Sequence, residues 1–177
     1  MSVNLKSLIG RLNDTCRQAL EGAAGLCLSR TNYDVEVEHV LLKILEAPDT
    51  DFLKILRRFE IDASRFAKDV TRALDRLKTG NARTPALSPR LPRLIEKAWV
   101  VASIEYGASR VRSGHLLLVL LTDDDLSRLT REISKDLAGI SVEQLTKTFA
   151  DVVKGSAEER EAQALESDPG GGGGPDV

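Results

Sequence analysis

The side chains in this sequence that could do acid–base chemistry or bind a metal are few, and the first to consider are two histidines. His39 and His115 each stand at the start of a short apolar segment, Glu38–Leu45 and Gly114–Leu121. A zinc site needs further ligands at defined spacing, and neither an H-E-x-x-H nor a C-x-x-C pattern surrounds either histidine. We therefore interpret both histidines as structural residues and expect no metal site in this chain.

Neighbouring carboxylates could serve as a general acid and base, and they occur at Asp123–Asp125 and at Glu158-Glu159. The three aspartates precede a helical pattern, where negative charge stabilises the positive end of the helix dipole without any catalytic role. G-x-S-x-G, Rossmann and P-loop patterns do not occur, and the glycine run 170–174 lacks the Lys and Ser/Thr of a phosphate-binding loop. We expect no catalytic residue and no enzyme activity in this chain.

The overall charge of the chain does not favour a polyanionic partner. The 25 basic and 27 acidic residues nearly balance, although the chain beyond Lys154 carries one basic residue and six acidic ones. Arg90, Arg93 and Lys97 form a basic edge on a predicted helix without the aromatic residues typical of nucleic-acid sites. There is also no signal peptide pattern and no run near the roughly 18 apolar residues of a membrane span. We expect a cytoplasmic protein that binds neither nucleic acid nor membrane.

The longest element that the sequence predicts is a helix over Leu5–Leu28, where apolar residues recur at steps of three and four. A bend is expected at Asn13-Asp14. Cys16 and Cys27 lie about 16 Å apart along this helix, too far for a disulfide, so we predict that both are small buried residues. The apolar stripe is longer than a small helical layer needs, which suggests a second partner for its first half.

Seven further amphipathic helices follow, marked by capping residues at their starts and by proline or glycine at their ends. They span about 37–47, 51–59, 63–77, 89–106, 114–121, 124–137 and 142–153. Ser88-Pro89 opens the helix whose apolar face includes Trp99, so Trp99 is predicted to be a core residue. Ser113 is predicted to cap the helix that follows. No strand of convincing length is indicated.

The order of elements repeats within the chain. Glu38–Leu45 matches Gly114–Leu121, and Ile61–Phe66 matches Ile140–Leu145, at offsets of about 76 and 79 residues. Each four-helix unit can bury an apolar face on the other. We therefore predict an all-α, single pseudo-twofold domain of eight helices over residues 1–154, with repeats at about 5–78 and 88–154. Residues 155–177, acidic and glycine-rich, are predicted to be a flexible linker.

The duplicated E-H-V-L-L-K-I-L and G-H-L-L-L-V-L-L segments, each after an alanine-containing long helix, resemble the Clp N-terminal domain of AAA+ unfoldases. This resemblance covers residues 14–154. The stretch Leu5–Leu45 and the Pro85–Pro89 turn with its following helix resemble, more narrowly, the ClpV family of bacterial type VI secretion ATPases. One departure is Val37, where the family usually has Thr or Pro at the helix start. The ATPase modules of that family have no counterpart in this sequence.

The resemblance implies a binding role rather than a catalytic one. In the ClpV family the N-terminal domain binds a helix near the N-terminus of the large sheath subunit, and the ATPase then disassembles the contracted sheath. ATP and magnesium are expected in the ATPase modules, which also imply a hexameric parent, and no cofactor is expected in this fragment. The alternative is an adaptor- or substrate-docking domain of another Clp unfoldase, a disaggregase or a protease partner.

The predicted partner-helix site is a groove between the start of the first long helix and the start of the helix after Pro89. Both starts carry more apolar side chains than one turn at the edge of a bundle requires, a pattern typical of a helix-binding groove. The predicted lining residues are Leu5, Leu8, Ile9, Leu12, Cys16, Leu87 and Leu91. Core packing and a homodimer seam remain alternatives for Leu5–Leu12.

Overall fold

A computed structural model describes residues 4–167, which form an almost wholly helical domain and confirm the all-α class. The helices are α1 Leu5–Ile9, α2 Asp14–Ser29, α3 Val37–Glu46, α4 Asp51–Arg58, α5 Ala63–Asp75, α6 Arg90–Val100, α7 Ser113–Thr122, α8 Asp124–Ile133, α9 Val142–Val152 and α10 Ala157–Ser167. A π-helical segment, Val101–Glu105, continues α6, and a 3-10 turn, Asp136–Gly139, follows α8. Within residues 4–167 no helix has the length and apolar character needed to cross a membrane.

The expected long first helix is two helices, so that prediction is wrong although the bend was placed correctly. Between α1 and α2 the backbone pairs with a distant segment: Asn13 N donates to Val111 O at 2.9 Å, and Val111 N donates to Arg11 O at 2.7 Å. Asn13 then caps α2 by accepting a hydrogen bond from Cys16 N at 2.9 Å. These tertiary hydrogen bonds replace the helical ones that a continuous helix would have made across the break.

Two strands of two residues each also form, β1 Asp34–Val35 and β2 Ala86–Leu87. They pair in parallel, with Val35 opposite Leu87. Segments this short cannot show the alternating pattern by which a strand is recognised in a sequence. The pair joins the loop before α3 to the loop before α6.

The two repeats, α2–α5 and α6–α9, share one hydrophobic core. Within each repeat the long helix packs on the short helix that follows it, α2 on α3 and α6 on α7, and α4 and α5 of the first repeat pack against α7 and α8 of the second. The largest side chains in this core, including Phe52, Phe66 and Leu117, are fully buried. Each repeat therefore buries part of its apolar face against the other, as the predicted pseudo-twofold arrangement requires.

The linker predicted from residue 155 is wrong for the described part of it. Residues 157–167 form α10, and Ser156 and Glu158 at its start are fully buried. The start of α10 is held on the rest of the domain by polar contacts rather than by an apolar face. Its sequence therefore lacks the apolar period by which a packed helix is recognised. The glycine run 170–174 and the rest of residues 168–177 lie outside the described residues.

Candidate functional site

The surface around α1 is where the predicted partner site falls, because α1 packs against α6. Asn4 caps α1 by accepting hydrogen bonds from Lys6 N at 2.8 Å and Ser7 N at 3.3 Å. Leu8 points into the core and anchors the helix. The structure thus places α1 against the helix that follows Pro89.

Three of the seven predicted lining residues are accessible. Leu5 is 37% exposed, and Ile9 and Leu87 are half-buried. Leu8, Leu12, Cys16 and Leu91 are each at most 4% exposed, so they are core residues and the prediction that they line an open groove is wrong. The bridge to Val111 explains Leu12, because backbone pairing on both sides of it draws its side chain inward.

The sequence prediction missed two exposed apolar residues on the α6 side. Val100 is 53% exposed and Ile104, in the π-helical segment, is 78% exposed. A helical projection of α6 would have found Val100, which lies opposite the buried face. No sequence signal identifies the π-helical segment, a feature that frequently occurs at functional sites.

Trp99 is half-buried and packs against the core without being enclosed by it. The prediction that Trp99 is a core residue is therefore only partly correct. The guanidinium carbon of Arg11 lies 4.7 Å from the centroid of the Trp99 ring, within the range of a cation–π interaction. Because Arg11 lies two residues after the end of α1 and Trp99 belongs to α6, this contact links the two helices. Trp99 is therefore a side chain that reports on the position of α1.

Both histidines hold helix starts, which supports the structural role predicted for them. The Nδ1 atom of His39 accepts a hydrogen bond from Glu36 N at 2.9 Å, and that of His115 accepts one from Arg112 N at 3.0 Å. Burial lowers the pKa of His39 to about 4 and that of His115 to about 3.

The N-cap of α7 is Arg112 and not Ser113, which corrects the sequence prediction.

Cys16 and Cys27 are buried free thiols, as predicted. Burial raises the pKa of both, which disfavours the reactive thiolate. Among the described residues, no three His, Cys, Asp or Glu side chains are grouped so that they could hold a metal ion.

A buried polar network that the sequence did not reveal lies where α2, α4 and α7 begin. Asp51 receives two hydrogen bonds of 2.8 Å from the Arg112 guanidinium and one of 2.7 Å from Ser156 Oγ. The Glu158 carboxylate accepts hydrogen bonds from Asp51 N at 2.7 Å, Ser113 N at 2.7 Å and Asn13 Nδ2 at 3.0 Å, and one from Ser113 Oγ. One carboxylate of α10 therefore binds residues at the starts of three other helices.

Two further features surround this network. One turn further along α10, Glu161 accepts a 2.6 Å hydrogen bond from Asp14 N at the start of α2. The pKa of Glu158 is raised, mainly by burial and then by the nearby Asp51 carboxylate. The hydrogen bonds that Glu158 accepts favour its charged form and oppose this rise. A cleft of about 190 Å³ runs beside α10, lined by that helix, by α9 and by the loop 106–112.

Comparison with known proteins identifies this architecture. Residues 11–133 match the Clp repeat N-terminal domain family. The chain is 38% identical over 152 residues to the AAA+ ATPase ClpV1 of Pseudomonas aeruginosa, a match over 86% of this chain and 17% of that protein. It is 35% identical over 162 residues to the chaperone ClpB of Yersinia enterocolitica, over 92% of this chain and 18% of ClpB.

A solved structure, a complex of a ClpV N-domain with a VipB peptide, has the same fold. It superposes with a TM-score of 0.78 at 32% identity, over 89% of this chain and 96% of that one. The present chain spans less than a fifth of the full-length relatives and nearly all of this isolated domain. The chain therefore belongs to the Clp repeat N-terminal domain family and is homologous to the N-domain of ClpV.

Proposed function

We propose that this chain is a recognition domain that binds an amphipathic helix from the N-terminal region of a type VI sheath subunit. The observation that carries the proposal is α1, whose residues 5–9 lie outside the family match at 11–133. This short helix buries Leu8 in the core and presents Leu5 and Ile9 as accessible apolar side chains. The ClpV N-domain complexed with a VipB peptide supports a peptide ligand for this type of domain.

The accessible side chains suit a helix as ligand. Leu5 and Ile9 are four residues apart and therefore lie on one side of α1, while Val100 and Ile104 provide apolar surface on α6 and its continuation. An incoming helix would place apolar side chains at i, i+3 or i+4, and i+7 against such surface. Leu87, half-buried in β2, stays in the predicted site.

In the same proposal the chain delivers the sheath to an ATPase. The relatives that carry this domain include AAA+ ATPases, and ATP and magnesium would be bound by the part of them that this chain does not match. A hexameric parent in the cytoplasm would then extract and disassemble the contracted sheath. In this proposal the contribution of the domain is binding.

A second candidate, supported by the 35% identity to a ClpB chaperone, is docking of unfolded substrates or of an adaptor. The two candidates predict different ligands. A sheath-type domain binds a synthetic peptide of the sheath subunit's N-terminal helix, whereas a chaperone-type domain binds a denatured polypeptide such as reduced carboxymethylated α-lactalbumin. Titration of both ligands against the same protein separates the two candidates.

Leu5→Arg tests where the helix binds. Leu5 is exposed, so the charge should leave the melting temperature nearly unchanged while peptide affinity falls at least tenfold. Leu28→Arg is the matched control, because Leu28 is 58% exposed at the far end of α2. Equal affinity of both variants, measured by isothermal titration, would show that α1 is not the binding surface.

A further inference from the structure

The position of α1 depends on the segment that joins it to α2. A helix of five residues has too few internal hydrogen bonds to be stable alone, so tertiary contacts must hold it in place. After α1 the chain makes a parallel bridge with the segment before α7, through the Asn13–Val111 and Val111–Arg11 hydrogen bonds. The bridge therefore acts together with the buried Leu8 side chain in holding α1 on α6.

The Glu158 carboxylate contacts both segments of this bridge. On one side it accepts a hydrogen bond from Asn13 Nδ2, and on the other from the backbone N–H and the hydroxyl of Ser113, two residues after Val111. Glu158 is fully buried, so these hydrogen bonds are shielded from water. We call Glu158 with its bonds to Asn13 and Ser113 the carboxylate clamp.

Asn13 connects the clamp to the partner surface because all of its polar groups are used. Its N–H donates to Val111 O in the bridge, its Oδ1 caps α2 at Cys16 N, and its Nδ2 donates to Glu158. Two residues earlier, Arg11 stacks on Trp99 of α6. A shift of Asn13 is therefore transmitted over two residues to the cation–π contact between α1 and α6.

We infer that Glu158 is a positioning residue for the partner-binding surface, and that α10 sets the place of α1 through the carboxylate clamp. In this way α10, although it lies outside the two repeats, contributes to recognition of the sheath helix by positioning α1. The inference rests on the proposed function for its ligand, but its structural part concerns α1 alone. The hydrogen-bond partners of Glu158 are all buried, so it acts on the proposed surface through Asn13 and the bridge. They are Asn13, the Cys16 thiol, Asp51 and Ser113.

The first test needs no ligand. Glu158→Gln replaces one acceptor oxygen by an NH₂ group that faces N–H donors, so the clamp opens while the size of the side chain is kept. Amide hydrogen exchange of residues 5–12 should then accelerate at least tenfold, with exchange in α5 unchanged. Trp99 fluorescence should shift to longer wavelength and be quenched more by acrylamide. Glu166→Gln, the same change at an exposed residue of the same helix, should alter neither signal.

The second test is peptide affinity, measured with the N-terminal helix peptide of a sheath subunit. Glu158→Gln should weaken binding about tenfold, and Glu166→Gln should bind like the unmodified protein. If the unmodified protein does not bind the peptide, the proposed function fails, while exchange and fluorescence still test the clamp. Unchanged exchange at residues 5–12 together with unchanged affinity would overturn the inference.

A second variant, Asn13→Asp, tests the clamp with Glu158 left intact. Asn13→Asp keeps the side-chain oxygen that caps α2 but removes the Nδ2 donor and sets a second carboxylate beside Glu158. The same acceleration at residues 5–12 and the same shift of Trp99 fluorescence are expected. A folded Asn13→Asp protein in which both signals match those of the unmodified chain would refute the clamp.

Discussion

The starts of α3 and α7 are equivalent in the two repeats, and they share a cap but not their surroundings. In each, a histidine at the third helical position accepts a hydrogen bond from the N-cap backbone. At α3 the other histidine nitrogen meets Asn32 Oδ1, 2.9 Å away, on the loop directly before the helix. At α7 the ring instead stacks on Phe149, with centroids 5.3 Å apart, and Glu158 of α10 binds the first residue of the helix.

The residue before each histidine differs as well. Glu38 precedes His39, whereas Gly114 precedes His115. A Cβ atom at Gly114 would lie 2.6 Å from Phe149 Cζ and 3.0 Å from Asp51 Cβ, which is closer than packing allows. The first repeat therefore completes its helix start with local residues, whereas the second packs more tightly and needs a helix from much later in the chain.

The largest expected effect comes from removing the part of the chain that completes the second repeat. A chain that ends at Lys154 loses Glu158 and the hydrogen bond from Ser156 Oγ to Asp51. We expect its free energy of unfolding to fall by about 3 kcal/mol relative to a chain that ends at residue 167, since charged hydrogen bonds are lost. Urea denaturation of the two chains measures the difference. Equal stability would place α10 outside the folded unit.

Gly114→Ala should show how tightly the second helix start is packed. Although alanine favours helix, the added methyl group meets Phe149, and we expect a loss of about 1–3 kcal/mol. The matched change in the first repeat is Glu38→Ala. Glu38 is buried and its Oε1 atom has no hydrogen-bond partner among the described residues, so its removal should be near neutral or stabilising. Thermal melts of both variants measure these changes in stability. An equal loss of stability in the two variants would contradict the tighter packing at the start of α7.

The smallest expected difference is between the two histidines in acid. Because both folded-state pKa values are lowered, the unfolded chain takes up protons first, so stability is complete above about pH 6.5 and falls as the pH is lowered. Each histidine should cost about 1.4 kcal/mol per pH unit, down to about pH 4 for His39 and about pH 3 for His115.

Single replacements by asparagine, whose side-chain oxygen can take the place of Nδ1, test this pH dependence. Each replacement should remove about 1.4 kcal/mol per pH unit from the slope of the free energy of unfolding between pH 6 and pH 5, as measured by urea denaturation at each pH. Between pH 4 and pH 3 the chain that retains His115 should lose stability more steeply than the chain that lacks it. An unchanged slope in either variant would show that its histidine does not titrate on unfolding.

The fold was predictable from residues that act locally. Asp62, Asp123 and Ser141 each accept a hydrogen bond from the first turn of the helix they begin, and Asp or Ser before an apolar helical pattern is recognisable in a sequence. The candidate site was less predictable. Leu5 and Leu12 have the same side chain on the same apolar stripe, yet one is exposed and the other buried, because backbone pairing with Val111 breaks the helix between them.

The sequence by itself determined the helical class, the duplication and the family, because apolar period, capping residues and the repeated histidine segments are local patterns that require no knowledge of distant contacts. Only the tertiary structure decided that α1 is a separate helix and that Glu158 is buried. Both depend on residues more than 90 positions apart, Asn13 with Val111 and Asn13 with Glu158. An acidic segment without an apolar face is predicted to be solvated. Burial of its Glu158 carboxylate becomes favourable only because the folded chain brings hydrogen-bond donors from three helix starts to that carboxylate.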